Sequence, residues 1–401
     1  MKEPTTPPQH WLSRNIFGMG MASLFADFCY EMANAVLPMF LISIGAGASA
    51  LGLIEGIADA VSSFSKLGAG HYSDKMGKRK PIAVLGYFIT AVSIAAYGFA
   101  TNAWHLLIAR CFGWLGRGVR APVRDAMLTD STPPEARGRA FGFHRAMDTI
   151  GAVIGPFVAY LFVDSFGYRS IFFVALIPGL LAVASFVFIT KETSNLKRSR
   201  TAFWTNLKSL PREFRLFLLV MAVFGAGDFA HTLLIMRASQ ALQPVMDAHE
   251  AGRYAILFYT WHNIVYAAAA YPAGVLADKF GKKRMLLIGF ACAAVMAVGF
   301  AVAAPTLVNF AVLFTLGGIF LGVTDGLERA VAADLLPQDI RATGFGVLAT
   351  VDGFGDFVSS AMVGLLWTSF MPSAGFFYSA VLSVGACLAL WGMRARRRGK
   401  L

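Results

Sequence analysis

Charge is scarce in this chain. Of its 401 residues only 14% are Asp, Glu, Lys or Arg, while 57% are hydrophobic and the mean hydropathy is +0.60. That excludes a string of ordinary soluble domains and makes a membrane protein the first reading. Cysteine is scarce too: Cys29, Cys111, Cys292 and Cys387 are scattered through apolar segments without paired or metal-like spacing. They read as packing residues, and neither a disulfide framework nor a metal site is expected. No glycine loop ending in Lys-Ser or Lys-Thr is present, so ATP is not the expected energy source and no cofactor is implied. A large extramembrane domain, clustered His and Cys, and a Ser-His-Asp signature are all missing, which argues against an integral-membrane enzyme. Alternating β-barrel patterning is absent as well.

What is there is a series of long apolar runs. Crossing the hydrocarbon takes roughly 20 helical residues, and twelve such windows lie between clusters of charge and turn residues, at about 15–42, 50–70, 81–100, 105–126, 140–163, 169–190, 215–237, 254–277, 285–304, 308–334, 342–366 and 374–393. Gly and Pro inside them, as in Ile154-Gly155-Pro156, are tolerated by transmembrane helices and not by soluble ones. An all-α membrane bundle of twelve helices is expected. The first run carries Asp27 and Glu31, so it reads as a retained span and not as a cleaved signal.

The net charge of +12 is unevenly placed. Of the 35 Lys and Arg, 25 fall in the terminal segments and loops on one side of the spans, three (Arg169, Arg237, Arg253) on the other, and seven within spans. This asymmetry places both termini in the cytoplasm, with a segment before the first span (1–14), a six-helix bundle (15–190), a basic linker (191–214), a second bundle (215–393) and a basic tail (394–401). The linker, with Trp204 and Phe214, reads either as an interfacial amphipathic helix or as a flexible tether. The cytoplasmic, or inner, membrane is the expected location, with anionic lipid facing the basic loops and no nucleic-acid partner.

An internal repeat fixes the organisation. Gly70-His-Tyr-Ser-Asp74-Lys-Met-Gly77-Lys-Arg79 reads like Gly274-Val-Leu-Ala-Asp278-Lys-Phe-Gly281-Lys-Lys283, at an offset of 204. The same offset pairs Asp130 with Asp334, Pro133 with Pro337, Arg137 with Arg341, Asp148 with Asp352 and Gly151 with Gly355. Two related halves follow. Six spans is an even number, so the halves are parallel, related by an axis along the membrane normal, with a substrate site expected near the midplane between them.

The loop Gly70-x-x-x-Asp74-x-x-Gly77-x-Arg79 and its copy at Gly274, Asp278, Gly281 and Lys283 resemble the signature of the major facilitator superfamily. The resemblance implies two pseudo-symmetric six-helix bundles, transport of a small molecule by alternating access as a monomer, and a loop that latches the halves in one access state. Gly151-Ala-Val-Ile-Gly155-Pro156 resembles part of a motif of proton-driven exporters in that superfamily, although Ala159-Tyr160 stands where the family pattern has paired glycines. A Gly-Pro kink allowing close helix packing explains the same residues.

Ionisable residues within spans are costly and mark function by default. Asp27 and Glu31 in span one and Asp228 and His231 in span seven fall near mid-depth in equivalent helices, and they are the candidate proton carriers. A permanent bridge from each carboxylate to an Arg is the competing reading. Span four holds Arg110, Arg117, Arg120, Arg124 and Asp125, and its equivalent holds Asp325, Glu328 and Arg329. The sign inversion between Arg124 and Glu328, and between Asp125 and Arg329, suggests that Arg120, Arg124, Asp125, Glu328 and Arg329 close the halves on each other, with Asp148 and Asp352 beside that gate. Arg110 and Arg117 lie deeper, to touch substrate or hold the span-one carboxylates. Tyr30, Tyr259, Trp261, His262 and Asn263 form the candidate substrate-lining set, and Glu55, Asp59 and Lys66 a polar stripe on span two. The expected function is a proton-coupled secondary transporter of a small organic solute, leaning to efflux by proton antiport. The alternative is a proton symporter importing an anionic metabolite or metal chelate; a channel or sensor is a further class that would not need the paired carboxylates.

Overall fold

A computed structural model of the chain describes residues 12–76, 78–133, 136–193, 209–337 and 340–393. The tail, the first eleven residues, most of the linker with Trp204, and Gly77 lie outside the described residues, as do the side chains of Gly70 and Asp74. Twelve helices of eight residues or more are described, α1 (Arg14–Ser43), α2 (Ala48–Met76), α3 (Lys80–Ala96), α4 (Ala103–Asp130), α5 (Arg137–Phe188), α6 (Arg212–Gly225), α7 (Thr232–Leu242), α8 (Ala248–Phe280), α9 (Lys282–Val302), α10 (Leu307–Leu335), α11 (Arg341–Ser369) and α12 (Pro372–Gly392). They match the twelve expected spans with two differences. Spans five and six run together as α5, turned at Gly167 where φ is +70°, and span seven is broken into α6 and α7.

The chain punctuates these helices with ordinary caps. Asn102 accepts from the His105 N–H at 3.0 Å, Asp247 from that of Glu250 at 2.8 Å and Thr306 from that of Asn309 at 3.3 Å, satisfying N-terminal donors of α4, α8 and α10 that have no partner within the helix. Gly281, with φ +97° and ψ 132°, makes the turn between α8 and α9 in a region that side chains avoid. Phe214, considered for a membrane-interface position, is instead buried at the start of α6.

Six helices are by themselves long and apolar enough to cross a membrane: α1, α3, α5, α9, α10 and α12. Because α5 makes two crossings, five spans remain outside that set: α2, α4, α8, α11 and the broken α6–α7. These carry internal charge or interrupted helix.

Within the first half α1 packs along α5, and α4 against α2 and α3; within the second, α8 against α10 and α9 against α12. Gly155 of α5 sits so close to α1 that a Cβ there would lie 2.7 Å from the Met32 nitrogen and 2.7 Å from the Phe28 carbonyl oxygen. The exporter-like motif thus has a packing role whatever else it does. The halves meet through α2 against α11 and α5 against α8. On the face away from the start of α1 they are sealed: the apolar residues of Met32 to Leu41 are buried beside Leu233 to Met236, Leu242, Ala251, Ala255 and Ile256 in a single apolar core. At its rim Asp164 Oδ1 of α5 lies 2.8 Å from His249 Nε2 of α8, and Asp164 Oδ2 lies 3.0 Å from Arg253 Nε.

Candidate functional site

Below that seal the halves enclose a cavity of about 410 Å³. Asp27, Tyr30 and Glu31 reach it from α1, on one face at i, i+3 and i+4. Asp228 and His231 reach it from the break between α6 and α7, so the two equivalent helices do present their titratable groups to one space. The break is not a defect of pairing. Ser359 Oγ donates to the Asp228 carbonyl at 2.6 Å, Ser379 Oγ to the Gly227 carbonyl at 2.6 Å, and the Ala230 N–H donates to Ser360 Oγ at 3.0 Å. Serines of α11 and α12 thereby satisfy backbone that would otherwise be stranded at membrane depth, as unwound segments lining transporter cavities require.

Two hydroxyl-to-carboxylate hydrogen bonds cross between the halves inside the cavity. Tyr259 OH of α8 donates to Glu31 Oε2 of α1 at 2.6 Å, and Thr232 Oγ1 of α7 donates to Glu55 Oε1 of α2 at 2.9 Å. They are mirror images in the repeat: Tyr259 occupies the position of Glu55 at offset 204, and Thr232 that of Glu31 at offset 201. In both, the hydroxyl comes from the second half and the carboxylate from the first.

Arg110, expected to touch substrate or hold the span-one carboxylates, lines the cavity and pairs with a carboxylate of α2. Its Nη2 and Nε lie 2.5 and 3.1 Å from Glu55 Oε2, its Nη1 donates to Asn34 Oδ1 at 2.9 Å, and its guanidinium sits 3.8 Å above the Trp114 ring. Burial of the whole group to 1% exposure demands this compensation, since an unpaired internal charge is costly. Arg117 remains in the cavity, 4.5 Å from the Tyr30 ring centroid, with no carboxylate paired to it among the described residues. Asp59 accepts from Trp114 Nε1 at 2.7 Å.

Trp261 is the member of the lining set that the structure removes. Tyr259, His262, Asn263 and Tyr266 share one face of α8 and line the cavity, whereas Trp261 lies two residues round the helix, 45% exposed, donating to Thr315 at 2.8 Å. The helical period of 3.6 residues sends it outward.

The anticipated gate is arranged differently here. Arg124 binds Asp125 of its own helix at 2.9 Å, and Arg120 is buried 4.3 Å from the Tyr87 ring centroid. Glu328, Arg329 and Asp352 line a second compartment of about 180 Å³ that shares Asp228, Asp325 and Asp356 with the first. The bridge between halves at this level is Arg145 of α5 to Asp325 of α10, and Tyr266 OH donates to Asp325 at 2.8 Å. Asp148 is held by Ser23 Oγ, with His144 and Arg145 each 4.0 Å away.

The repeated loops also differ in register. Arg79 pairs with Asp130 of α4, and Lys80 Nζ donates to the carbonyls of Val187 and Thr190 at 2.7 and 2.8 Å. In the second half Lys282 pairs with Asp334 at 2.7 Å, and Lys283 donates to the carbonyls of Trp391 and Met393. The structural match of Arg79 is thus Lys282, one residue earlier than the sequence offset indicates. Asp278 and Gly274 are exposed.

Asn34, Thr232 and Tyr266 are site residues that sequence reasoning missed. They are uncharged, and only their helical spacing from Tyr30 and Glu31, from Asp228 and from Tyr259 could have flagged them.

Comparison with known proteins agrees with this architecture. The family model described as Major Facilitator Superfamily matches residues 19–244 and 238–401. An uncharacterized MFS-type transporter of Methanocaldococcus jannaschii is 32% identical over 381 residues, covering 94% of each chain. Multidrug resistance protein 2 of Bacillus subtilis is 25% identical, with 94% of this chain and 95% of that one covered. Among solved structures, a point mutant of the nucleoside transporter NupG superposes with a TM-score of 0.80 at 14% identity, covering 94% of this chain and 99% of that one; at this identity the likeness is one of fold.

Proposed function

This chain belongs to the major facilitator superfamily, a family of membrane transporters and not of enzymes, and from that premise we propose that it is a proton-coupled secondary transporter of a small organic solute, working by alternating access and directed to efflux. The observation that carries the reading is that Asp27 and Asp228, in equivalent helices of the two halves, face one cavity without an ion-pair partner among the described residues. A carboxylate so placed can take a proton from one side and release it to the other as the seal changes ends. Asp27 and Glu31 are the proposed carriers, with Asp228 in the matching place; Glu31, tied to Tyr259, links proton occupancy to the contact between halves.

The gate belongs to the same proposal. Arg124 and Glu328, apart in this structure, would meet when the compartment beside Asp352 closes, while the Asp164 cluster would part. The basic loops orient both termini to the cytoplasm. A symporter for an anion is the second reading, favoured by Arg117 alone.

The test is flux in proteoliposomes with an imposed pH gradient, using ethidium as an aromatic cation and benzoate as an aromatic anion. Uphill ethidium accumulation in vesicles with an acidic lumen is expected for wild type. Asp27→Asn should abolish it, with counterflow exchange persisting. Equal uphill movement in that variant removes Asp27 from the mechanism, and uphill benzoate uptake driven by an acidic exterior would favour the symporter.

A further inference from the structure

The cavity is lined by eight carboxylates, Asp148 among them, and four guanidinium groups. Two of the guanidiniums are consumed, Arg110 by Glu55 and Arg145 by Asp325. Five carboxylates, of Asp27, Glu31, Asp59, Asp228 and Asp356, then face the space with no cation paired to them among the described residues, against only Arg117 and Arg329. The hydrogen-bonding capacity left over is therefore mostly acceptor, and a buried acceptor without a donor is unfavourable.

An independent group states the same demand. His262 is 1% exposed and lines the cavity. Its Nδ1 lies 3.2 Å from the Phe314 carbonyl oxygen, which can only accept, so Nδ1 carries the hydrogen and the Nε2 of the neutral ring is a lone pair. That Nε2 is buried and unpartnered, as is Nε2 of His231, whose ring centroid is 5.0 Å away. Tyr259 is stacked on His262 at 5.9 Å while its hydroxyl is spent on Glu31. The ring is fixed in place and offers an acceptor that nothing in the protein uses.

We infer that the cargo is an organic cation bearing N–H donors, a protonated amine with an aromatic or aliphatic body, whose charge is met by the unpaired carboxylates and whose N–H is received by His262 Nε2. Resting on the transporter reading above, this names the chemical class its central cavity accepts. The tyrosines supply apolar and cation–π surface for the body and the charge. His262 is the specificity residue, because it separates an ammonium that can donate from a quaternary one that cannot.

Binding to the purified full chain in detergent, followed by calorimetry, tests this without any flux. The probes are phenethylamine, its trimethylammonium analogue and 3-phenylpropanoate. The primary amine should bind about tenfold more tightly than the quaternary ion, the worth of one hydrogen bond to a charged group, and the carboxylate most weakly. His262→Phe should close the gap between the two cations, while His262→Gln, which keeps a carbonyl acceptor, should preserve most of it. Asp228→Asn and Asp356→Asn should weaken both cations together. The inference is overturned if the carboxylate binds best, if wild type shows no gap, if the gap survives in a folded His262→Phe, or if none of the probes binds protein that unfolds cooperatively on heating. Failure of the transporter reading looks different: the amine would bind with the expected order and yet show no pH-driven movement in vesicles.

Discussion

The two halves share a scaffold and differ in how they treat internal charge. At offset 204, Arg110, Arg117, Arg120 and Arg124 of α4 correspond to Phe314, Leu321, Thr324 and Glu328 of α10, while Glu55 and Asp59 of α2 correspond to Tyr259 and Asn263 of α8. The first half thus holds matched ions, with Arg110 on Glu55, Arg124 on Asp125 and Asp148 between Ser23, His144 and Arg145, beside Asp27, Glu31, Asp59 and Arg117, which face the cavity outside any ion pair among the described residues. The second half uses neutral groups at all of those α10 and α8 positions but Glu328 and leaves Asp228, Glu328, Asp352 and Asp356 with little opposing charge, Arg145 reaching across from the first half to Asp325. Duplication gives the two halves one scaffold; the later divergence of charge leaves the matched pairs Arg110–Glu55 and Arg124–Asp125 in the first half and few opposing charges in the second.

The largest effect expected from this difference lies at Arg110. Arg110→Met strands Glu55 in the interior, and removing one partner of a buried ion pair costs about 3–5 kcal/mol, readable as a lowered thermal unfolding midpoint in detergent. Replacing both members by the second half's own residues, Arg110→Phe with Glu55→Tyr, should restore most of that stability while flux is lost. If the double variant is as unstable as the single one, the pair is not the charge compensation that distinguishes the first half.

How much of this was legible beforehand depends on whether the signal runs along the chain or between helices. The twelve crossings and the duplication were readable because hydropathy and a fixed offset are one-dimensional. So was the convergence of Asp27 and Asp228 on one cavity, since equivalent helices at equal depth must face the same axis. The partner of Arg110 was not, because Glu55 lies on another helix and only matching depth connects them. Trp261 shows a failure of a different sort: a run of polar and aromatic residues was read as one set when helical phase divides it. The break at Asp228 left a usable trace in Gly225 and Gly227, two residues that lower helix stability just before a charge. The one-residue slip between Arg79 and Lys282 left none, as Lys282, Lys283 and Arg284 are interchangeable to a sequence offset.

A smaller effect should sharpen the comparison at the mirrored hydrogen bonds. Tyr259→Phe and Thr232→Val each remove a hydroxyl that the second half donates to a carboxylate of the first, with loss of about 1.5–3 kcal/mol from a hydrogen bond to a charged group. Both bonds lie beneath the seal, so both losses should favour its opening. Maleimide labelling of Ile235→Cys, a position buried in that seal, should accelerate about tenfold in either background. The bond from Tyr259 engages the proposed proton carrier Glu31 and that from Thr232 the already paired Glu55, so only Tyr259→Phe should also change the pH dependence of labelling. Equal pH responses would erase the distinction between the carboxylate left to carry a proton and the one already paired with Arg110.

The smallest expected difference is in the two repeated loops, where the same device is built at unequal depth. Asp130 and Arg79 are 31% and 11% exposed, Asp334 and Lys282 61% and 32%. A pair in water gains little, because solvent screens the charges and two long side chains lose freedom to hold one geometry, so Asp334→Ala should change stability by no more than about 0.5 kcal/mol. Asp130→Ala should cost about 1 kcal/mol or somewhat more, since Arg79 is the less solvated cation and its guanidinium presents a planar, donor-rich face to the carboxylate. Raising the salt concentration should remove the small Asp334 effect first and leave most of that at Asp130. If the two variants lose stability equally and with the same salt dependence, then depth does not separate the loops, and the first half's preference for compensated charge stops at the cavity instead of extending to its edge.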